Sequence, residues 1–229
     1  MRGKLFGATG DGMDPFERRF GLKRSKLPAA VRAAVDTLMA ETAMLAQENA
    51  DLAEQAALAQ GLADRDPLVP LYNRRALIRE LQRVISYVGR YKTQAAVIFV
   101  DMDGFKAIND QFGHAVGDAA LAHVAKILLV QVRDSDIVGR IGGDEFAVVL
   151  ANAAPDEARR KADWLAAIIA ATPFSFEGVT HPLSASVGVH AFAGDDARVE
   201  EADALLARAD EAMYAAKHAA KMRIAANQA

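Results

Sequence analysis

Between positions 27 and 63 the chain carries no Gly before Gly61 and no Pro after Pro28, and Val31, Leu38, Leu45, Leu52 and Ala59 recur every seven residues. A second seam, Val35, Thr42, Asn49, Ala56 and Ala63, keeps the same interval. Two such seams define a coiled coil, in which Asn49 occupies an a position, where a buried amide favours a two-stranded, in-register pair. A parallel homodimer is the expectation; a helix packed on its own domain is the alternative, because Ala56 and Ala59 weaken the far end. Pro67 and Pro70 stop the helix, each turning its preceding residue away from helical angles.

Beyond that break the pattern changes. An amphipathic helix is expected over 73–91, a short buried strand over 95–100 and a further helix over 117–132. Apolar runs at 137–141 and 145–150 flank Gly142 and Gly143, which reads as a hairpin whose turn uses glycine's access to positive φ. A helix over 155–171 with Trp164 on its apolar side, a strand within 181–192 and a closing helix over 200–219 complete the chain. Strands and helices alternate around one hairpin, which predicts an α/β (α+β) sandwich: a mainly antiparallel central sheet flanked by helices and preceded by a long coiled-coil helix. The expected domains are a flexible basic leader over 1–26, the dimerising coiled coil over 27–63 and a catalytic domain over 64–229. Phe6, Phe16 and Phe20 in the leader are candidates for docking an unidentified protein partner.

Composition narrows the chemistry. Half of the 229 residues are apolar but only 7% are aromatic, which suits Ala-rich helices around a modest core. There is no Cys, so any metal must sit on oxygen or nitrogen, and a reducing, cytoplasmic setting is expected. A net charge of −3 argues against nucleic-acid binding by the whole chain. No run is long enough for a membrane span, and no secretory h-region is visible.

Asp101 and Asp103 stand where a strand becomes a loop, and Asp144 and Glu145 follow the Gly-Gly turn. An isolated Asp-x-Asp is ordinarily a solvated strand end. If the hairpin lies beside the first strand, however, several carboxylates converge, and a hard divalent cation would relieve their repulsion.

The segment Arg140, Gly142-Gly143-Asp144-Glu145-Phe146 resembles the signature of the GGDEF diguanylate cyclases. Upstream, Asp101-Met102-Asp103-Gly104-Phe105-Lys106, Asn109-Asp110, Phe112-Gly113-His114 and Gly117-Asp118 match that family's metal and guanine segment. The resemblance runs from about Asp66 to the C-terminus. It implies a nucleotidyl-cyclase-like palm that condenses two GTP into cyclic di-GMP. It further implies Mg²⁺, with Mn²⁺ as an alternative, on Asp101, Met102 (by its carbonyl), Asp144 and Glu145, with Asp144, Glu145 and Arg140 as the catalytic residues and Asp144 as candidate general base. Asn109 and Asp118 would read guanine, Phe105, Lys106, Lys217 and Lys221 would meet the substrate, and His114 would support the loop. Arg133 and Asp136 resemble the family's product-binding inhibitory pair, and Arg159 and Arg160 are weaker candidates for a second inhibitory contact.

The chain departs from the family pattern in three places. Val69-Pro70 replaces Thr-Gly, Lys221 stands for Arg, and Gly104 occupies a position that is often bulkier. Two other readings stay open, a cyclic di-GMP receptor without catalysis and a scaffold that only binds GTP. The intact Asp144-Glu145 pair argues against the first.

Overall fold

The computed structural model describes residues 14–194 and 201–227, and the chain divides between Gln60 and Gly61 into two compact units. In the first unit, within the segment expected to be a flexible leader, Pro15–Phe20 forms a short helix, α1. Its signals are local: the Asp14 carboxylate accepts from the Phe16 N–H at 2.8 Å, Pro15 opens the first turn, and Gly21 closes it in the left-handed conformation. Phe6 lies outside the described residues. After a 3-10 turn at Arg24–Lys26 the long helix α2 runs from Ala29 to Ala63. Along it Val31, Leu38, Leu45 and Leu52 are 46%, 61%, 58% and 55% exposed, so the chain itself leaves that seam uncovered. The polar members of the companion seam bond back along the helix, Thr42 Oγ1 to the Leu38 carbonyl at 2.6 Å and Asn49 Nδ2 to the Leu45 carbonyl at 2.8 Å.

The second unit is built on a five-stranded sheet in the order β1-β3-β4-β2-β7, with β1 Tyr72–Asn73, β2 Gln94–Met102, β3 Ile137–Arg140, β4 Glu145–Ala151 and β7 Ala185–Ala193. Only the short β1–β3 pairing is parallel. This is the mainly antiparallel sheet the pattern predicted. Helices α3 (Arg74–Tyr91) and α7 (Ala202–Asn227) cover one face, and α5 (His114–Val130) and α6 (Pro155–Ala171) cover the other. Strand β2 is central and buried on both sides, which explains why positions 95–100 read as one apolar run without alternation. Asn73 caps α3, its side-chain oxygen accepting from the Ala76 N–H at 3.0 Å. Among the described residues no helix is long and apolar enough to cross a membrane.

Three expectations need correction. Trp164 faces outward, 52% exposed, and its indole N–H donates to Gln131 Oε1 at 2.9 Å, because Ala158, Ala162, Leu165 and Ile169 already fill the inner side of α6. The strand expected within 181–192 is β7, which carries Gly188, and Pro182, lacking the N–H a ladder needs, lies outside it. Ahead of it Val179–His181 (β6) pairs with Phe174–Phe176 (β5), a small hairpin the pattern does not announce. Neither Gly142 nor Gly143 takes positive φ; the need for Gly142 is spatial, as described below. The segment after Asp103 also contains a helix of its own, α4 (Phe105–Phe112), and α5 begins at His114, ahead of the expected start.

The fit of α7 on the sheet is tightest at Gly188 of β7. A Cβ there would stand 2.1 Å from the Met213 nitrogen and 2.2 Å from the Ala209 oxygen, both backbone atoms. Gly188→Ala is therefore expected to destabilise the chain by about 3 kcal/mol, read as a lowered midpoint in urea. An unchanged midpoint would mean that α7 sits further from the sheet.

Candidate active site

The register of the sheet assembles the acidic centre. Asp101, at the end of β2, is paired with Glu145 of β4 on one side and with Ser186 of β7 on the other. The next residue on each strand consolidates the corner: the Met102 N–H donates to the Asp144 carbonyl at 3.2 Å, and the Asp103 N–H to the Ser184 carbonyl at 2.9 Å. Ser186 Oγ then donates to Asp103 Oδ1 at 2.7 Å, fixing that carboxylate. Asp101, Asp144 and Glu145 thus share one corner of the sheet, as the sequence pattern predicted if the hairpin lay beside the strand.

The Gly-Gly turn is held from both ends. The Ile141 N–H donates to the Glu145 carbonyl at 2.9 Å. Arg140 donates to the Gly143 carbonyl through Nη2 at 2.7 Å and pairs through Nη1 with Asp66 at 3.2 Å. Asp66 in turn accepts from the Leu68 and Val69 N–H groups at 2.9 and 3.0 Å, so the Val69-Pro70 departure leaves its loop anchored to the turn. Arg140, expected among the catalytic residues, thus ties the turn carbonyl to Asp66. The Glu145 side chain folds back over Gly142, where a Cβ would stand 2.0 Å from its Oε2.

Charge is concentrated here. Burial, then the neighbouring Asp101 charge, pushes the Asp144 carboxyl up from the ordinary aspartate range. Burial, then Asp101 and Asp144, does the same to Glu145. Lys217 of α7 answers with a short contact to Asp101 and another to Asp103 at 3.3 Å. Burial alone would lower the Lys217 pKa, but the two carboxylates more than offset it and raise it. Among the described residues no three such groups are already gathered as a finished ligand set. The donors are nevertheless hard oxygens whose repulsion a divalent cation would relieve, and their chemistry fits Mg²⁺.

Helix α4 leaves this corner through Gly104, whose φ of 69° is a left-handed conformation that favours glycine, and it carries Phe105, Lys106 and Asn109. Asn109 and Phe105 lie over Gly117 in α5, where a Cβ would stand 1.9 Å from Asn109 Oδ1 and 3.3 Å from the Phe105 ring. His114 and Asp118, on the first turns of the same helix, are exposed, as is Lys106. Phe112, at the end of α4, meets the buried His181 edge-on at 4.6 Å between ring centres. The side chain of Lys221 lies outside the described residues.

Residues 63–223 match the family described as the GGDEF domain of diguanylate cyclases. The chain belongs to the GGDEF family. Among its relatives, diguanylate cyclase TpbB of Pseudomonas aeruginosa is 39% identical over 201 residues, covering 86% of this chain and 43% of that protein. The chain spans less than half the length of the curated relatives it matches. A sensory box/GGDEF family protein from Caulobacter crescentus aligns with a TM-score of 0.63 at 37% identity, over 68% of this chain and 99% of that one. The coiled coil and GGDEF domain of DgcB from Caulobacter crescentus, solved in complex with c-di-GMP, aligns with a TM-score of 0.68 over 80% of this chain and 95% of that one. At 24% identity that likeness concerns the fold, long helix included.

The GGDEF domain keeps Arg133 and Asp136 away from the acidic corner, in the loop before β3. Asp136 accepts from the Arg133 N–H at 3.0 Å and from the Ala151 N–H at 3.2 Å. The Arg133 guanidinium reaches Glu157 at 3.6 Å, and a cavity of about 80 Å³ lies among Arg133, Asp136, Glu157 and Lys161. Glu157 and Lys161, four apart on α6, escaped the sequence reading, as did Ser186 and Asp66. Spacing hints only at the α6 pair. Arg159 pairs with Asp156 of its own helix at 3.8 Å, and Arg159 and Arg160 are both exposed.

Proposed function

We propose that the chain is a diguanylate cyclase that condenses two GTP into cyclic di-GMP and two pyrophosphates, working as a homodimer through α2. The observation that carries this reading is the convergence of Asp101, Asp144 and Glu145, with the pKa raised on the latter two, at the strand corner that α4 leaves. Bound Mg²⁺, held by Asp101, Asp144, Glu145 and the Met102 carbonyl, would supply charge neutralisation of the phosphates and a more acidic ribose 3′-hydroxyl. The hydroxyl of one GTP attacks the α-phosphorus of the other; the new 3′-O–P bond forms as the bond to pyrophosphate breaks. Asp144 is the candidate acceptor of the hydroxyl proton. Lys217 and Lys106 face the triphosphate, Lys217 leaving Asp101 as substrate and cation enter. Asn109 and Asp118 read the guanine edge, an amide and a carboxylate matching its O6 acceptor and N1/N2 donors. A GTP substrate and a chain without Cys suit the cytoplasm.

Purified chain incubated with GTP and MgCl₂, with products separated by chromatography, tests the activity; absence of both dinucleotide and pyrophosphate would exclude it. Since Gly117 leaves the space that Asn109 Oδ1 uses, Gly117→Ala is expected to displace that amide. The KM for GTP should rise about tenfold with kcat less affected, as for the loss of one base contact. An unchanged KM would take Asn109 out of guanine recognition.

In the same reading Arg133 and Asp136 bind the product, guanidinium to phosphate or guanine O6/N7 and carboxylate to guanine N1/N2. Arg133→Ala should leave the initial rate intact and raise the inhibition constant for added cyclic di-GMP by about tenfold or more. Unaltered inhibition would refute this regulatory role.

A further inference from the structure

The first unit holds a feature that a plain two-stranded coiled coil does not require. Helix α1 is folded back on α2 by Arg24, which bonds Asp14 through Nε at 2.7 Å and Asp36 through Nη1 at 2.6 Å. The Asp14 carboxyl, already receiving the Phe16 N–H, is held below the usual aspartate range by that bond and by Arg24. The Phe16 and Phe20 rings lie 4.8 Å apart between centres. With Arg19 they face Val35, Leu38 and Thr42 across an open groove of about 350 Å³. Leu38 belongs to one heptad seam, and Val35 and Thr42 to the other. Phe20 and Leu38 remain 58% and 61% exposed, so the chain alone does not fill this groove.

Resting on the dimeric reading of α2, we propose that this groove is filled by a second copy of the chain and that α1 is an integral part of the dimer interface. The N-terminal end of the dimer is then a four-helix arrangement, two copies of α1 packed beside two copies of α2. The heptad interval selects the occupant: a parallel, in-register partner brings its own Leu38 to the level of this Leu38 and continues with a seam of the same period along α2. Charge complementarity agrees. In a parallel pair the g position of one helix flanks the e side of the other, which here is the Met39 side occupied by α1. The g positions level with this part of α2 are Ala34 and Glu41, and Arg19 is the cation in the lining of the groove. By the two-fold symmetry each Arg19 meets the other copy's Glu41, and the Phe pair supplies the aromatic anchor that interfaces concentrate their binding energy on.

Sedimentation equilibrium of the full chain tests the proposal. Phe16→Ala combined with Phe20→Ala is expected to raise the dimer dissociation constant by about tenfold or more. Arg19→Glu alone and Glu41→Arg alone should each weaken dimerisation by about threefold, and the two together should bring it back to within about twofold of the original. The charge exchange keeps the test decisive even if the Phe variant loses α1. Leu38→Asp serves as the control that breaks the seam whatever α1 does. If Leu38→Asp dissociates the dimer while the Phe and charge variants leave its constant unchanged, α1 lies outside the interface and the inference falls, with the coiled-coil dimer still standing. If the original chain is monomeric throughout, both fall.

Discussion

Glu145→Gln protein is expected to melt a few degrees higher than the original chain above neutral pH and without divalent cations, yet to make cyclic di-GMP roughly a hundred- to a thousandfold more slowly. Both effects come from one carboxylate. Burial and the charges of Asp101 and Asp144 raise the Glu145 pKa, so the folded chain binds this proton more tightly than the unfolded chain does. Between the unfolded value, near 4.5, and the raised folded value, stability falls as pH rises, and above the folded value the whole penalty is in force. Asp144 carries the same sign, its window opening near 3.8. Gln keeps the shape that folds over Gly142 but cannot ionise, and so escapes the penalty while losing the charge that the proposed reaction uses. Added Mg²⁺ should raise the melting temperature of the original chain and close part of the gap to the variant. A variant that melts lower than the original, or that keeps its activity, would remove Glu145 from the acidic centre. The temperature shift is measured by calorimetry as a function of pH, the rate by product chromatography.

What could be read from the sequence was local or repetitive. Strand β2 announced itself as six consecutive apolar positions because it is buried on both faces, and α2 announced its outward seam because five residues follow one another at an interval of seven. The acidic corner was legible through the family motif, whereas the strand-end position of Asp101 and Asp103 alone pointed to solvated acids. Partners set by folding were not. Asp101 and Lys217 are 116 positions apart, and Arg140 and Asp66 are 74 apart; no spacing rule links such pairs. Ser186 acquires its place beside Asp103 only from the β2–β7 register. The β5–β6 hairpin has three-residue strands, too short for a periodic signal. The case of α1 is different: Asp14, Pro15 and Gly21 are ordinary cap residues, and the irregular mixture of Phe and charge around them hid a helix too short to show a period.

The other large effect concerns assembly. Leu38→Asp combined with Leu45→Asp should leave the specific activity near that of the original chain at high protein concentration and reduce it at least tenfold, to roughly a hundredfold, on dilution. Two GTP molecules must be presented face to face for the 3′-hydroxyl of each to reach the α-phosphorus of the other, so one GGDEF unit with one GTP holds only half of the reacting pair. The seam leucines are exposed in the single chain, and a charge there costs it little. In a paired seam the same charge is buried beside its own copy and costs several kcal/mol, which moves the dissociation constant by orders of magnitude. These substitutions are cleaner than truncation near Asp66. Asn73 Nδ2 and Arg75 Nη2 donate to the Ala63 carbonyl at 2.8 and 3.0 Å, and Arg79 pairs with the buried Asp64 at 2.6 Å, so trimming the chain there would damage the unit that begins at Gly61. For the variant below its dissociation constant, the dimer fraction is proportional to total protein. Its rate per milligram should therefore climb linearly with concentration while that of the original stays flat. Parallel flat lines for both proteins would show that pairing through α2 plays no part in the reaction.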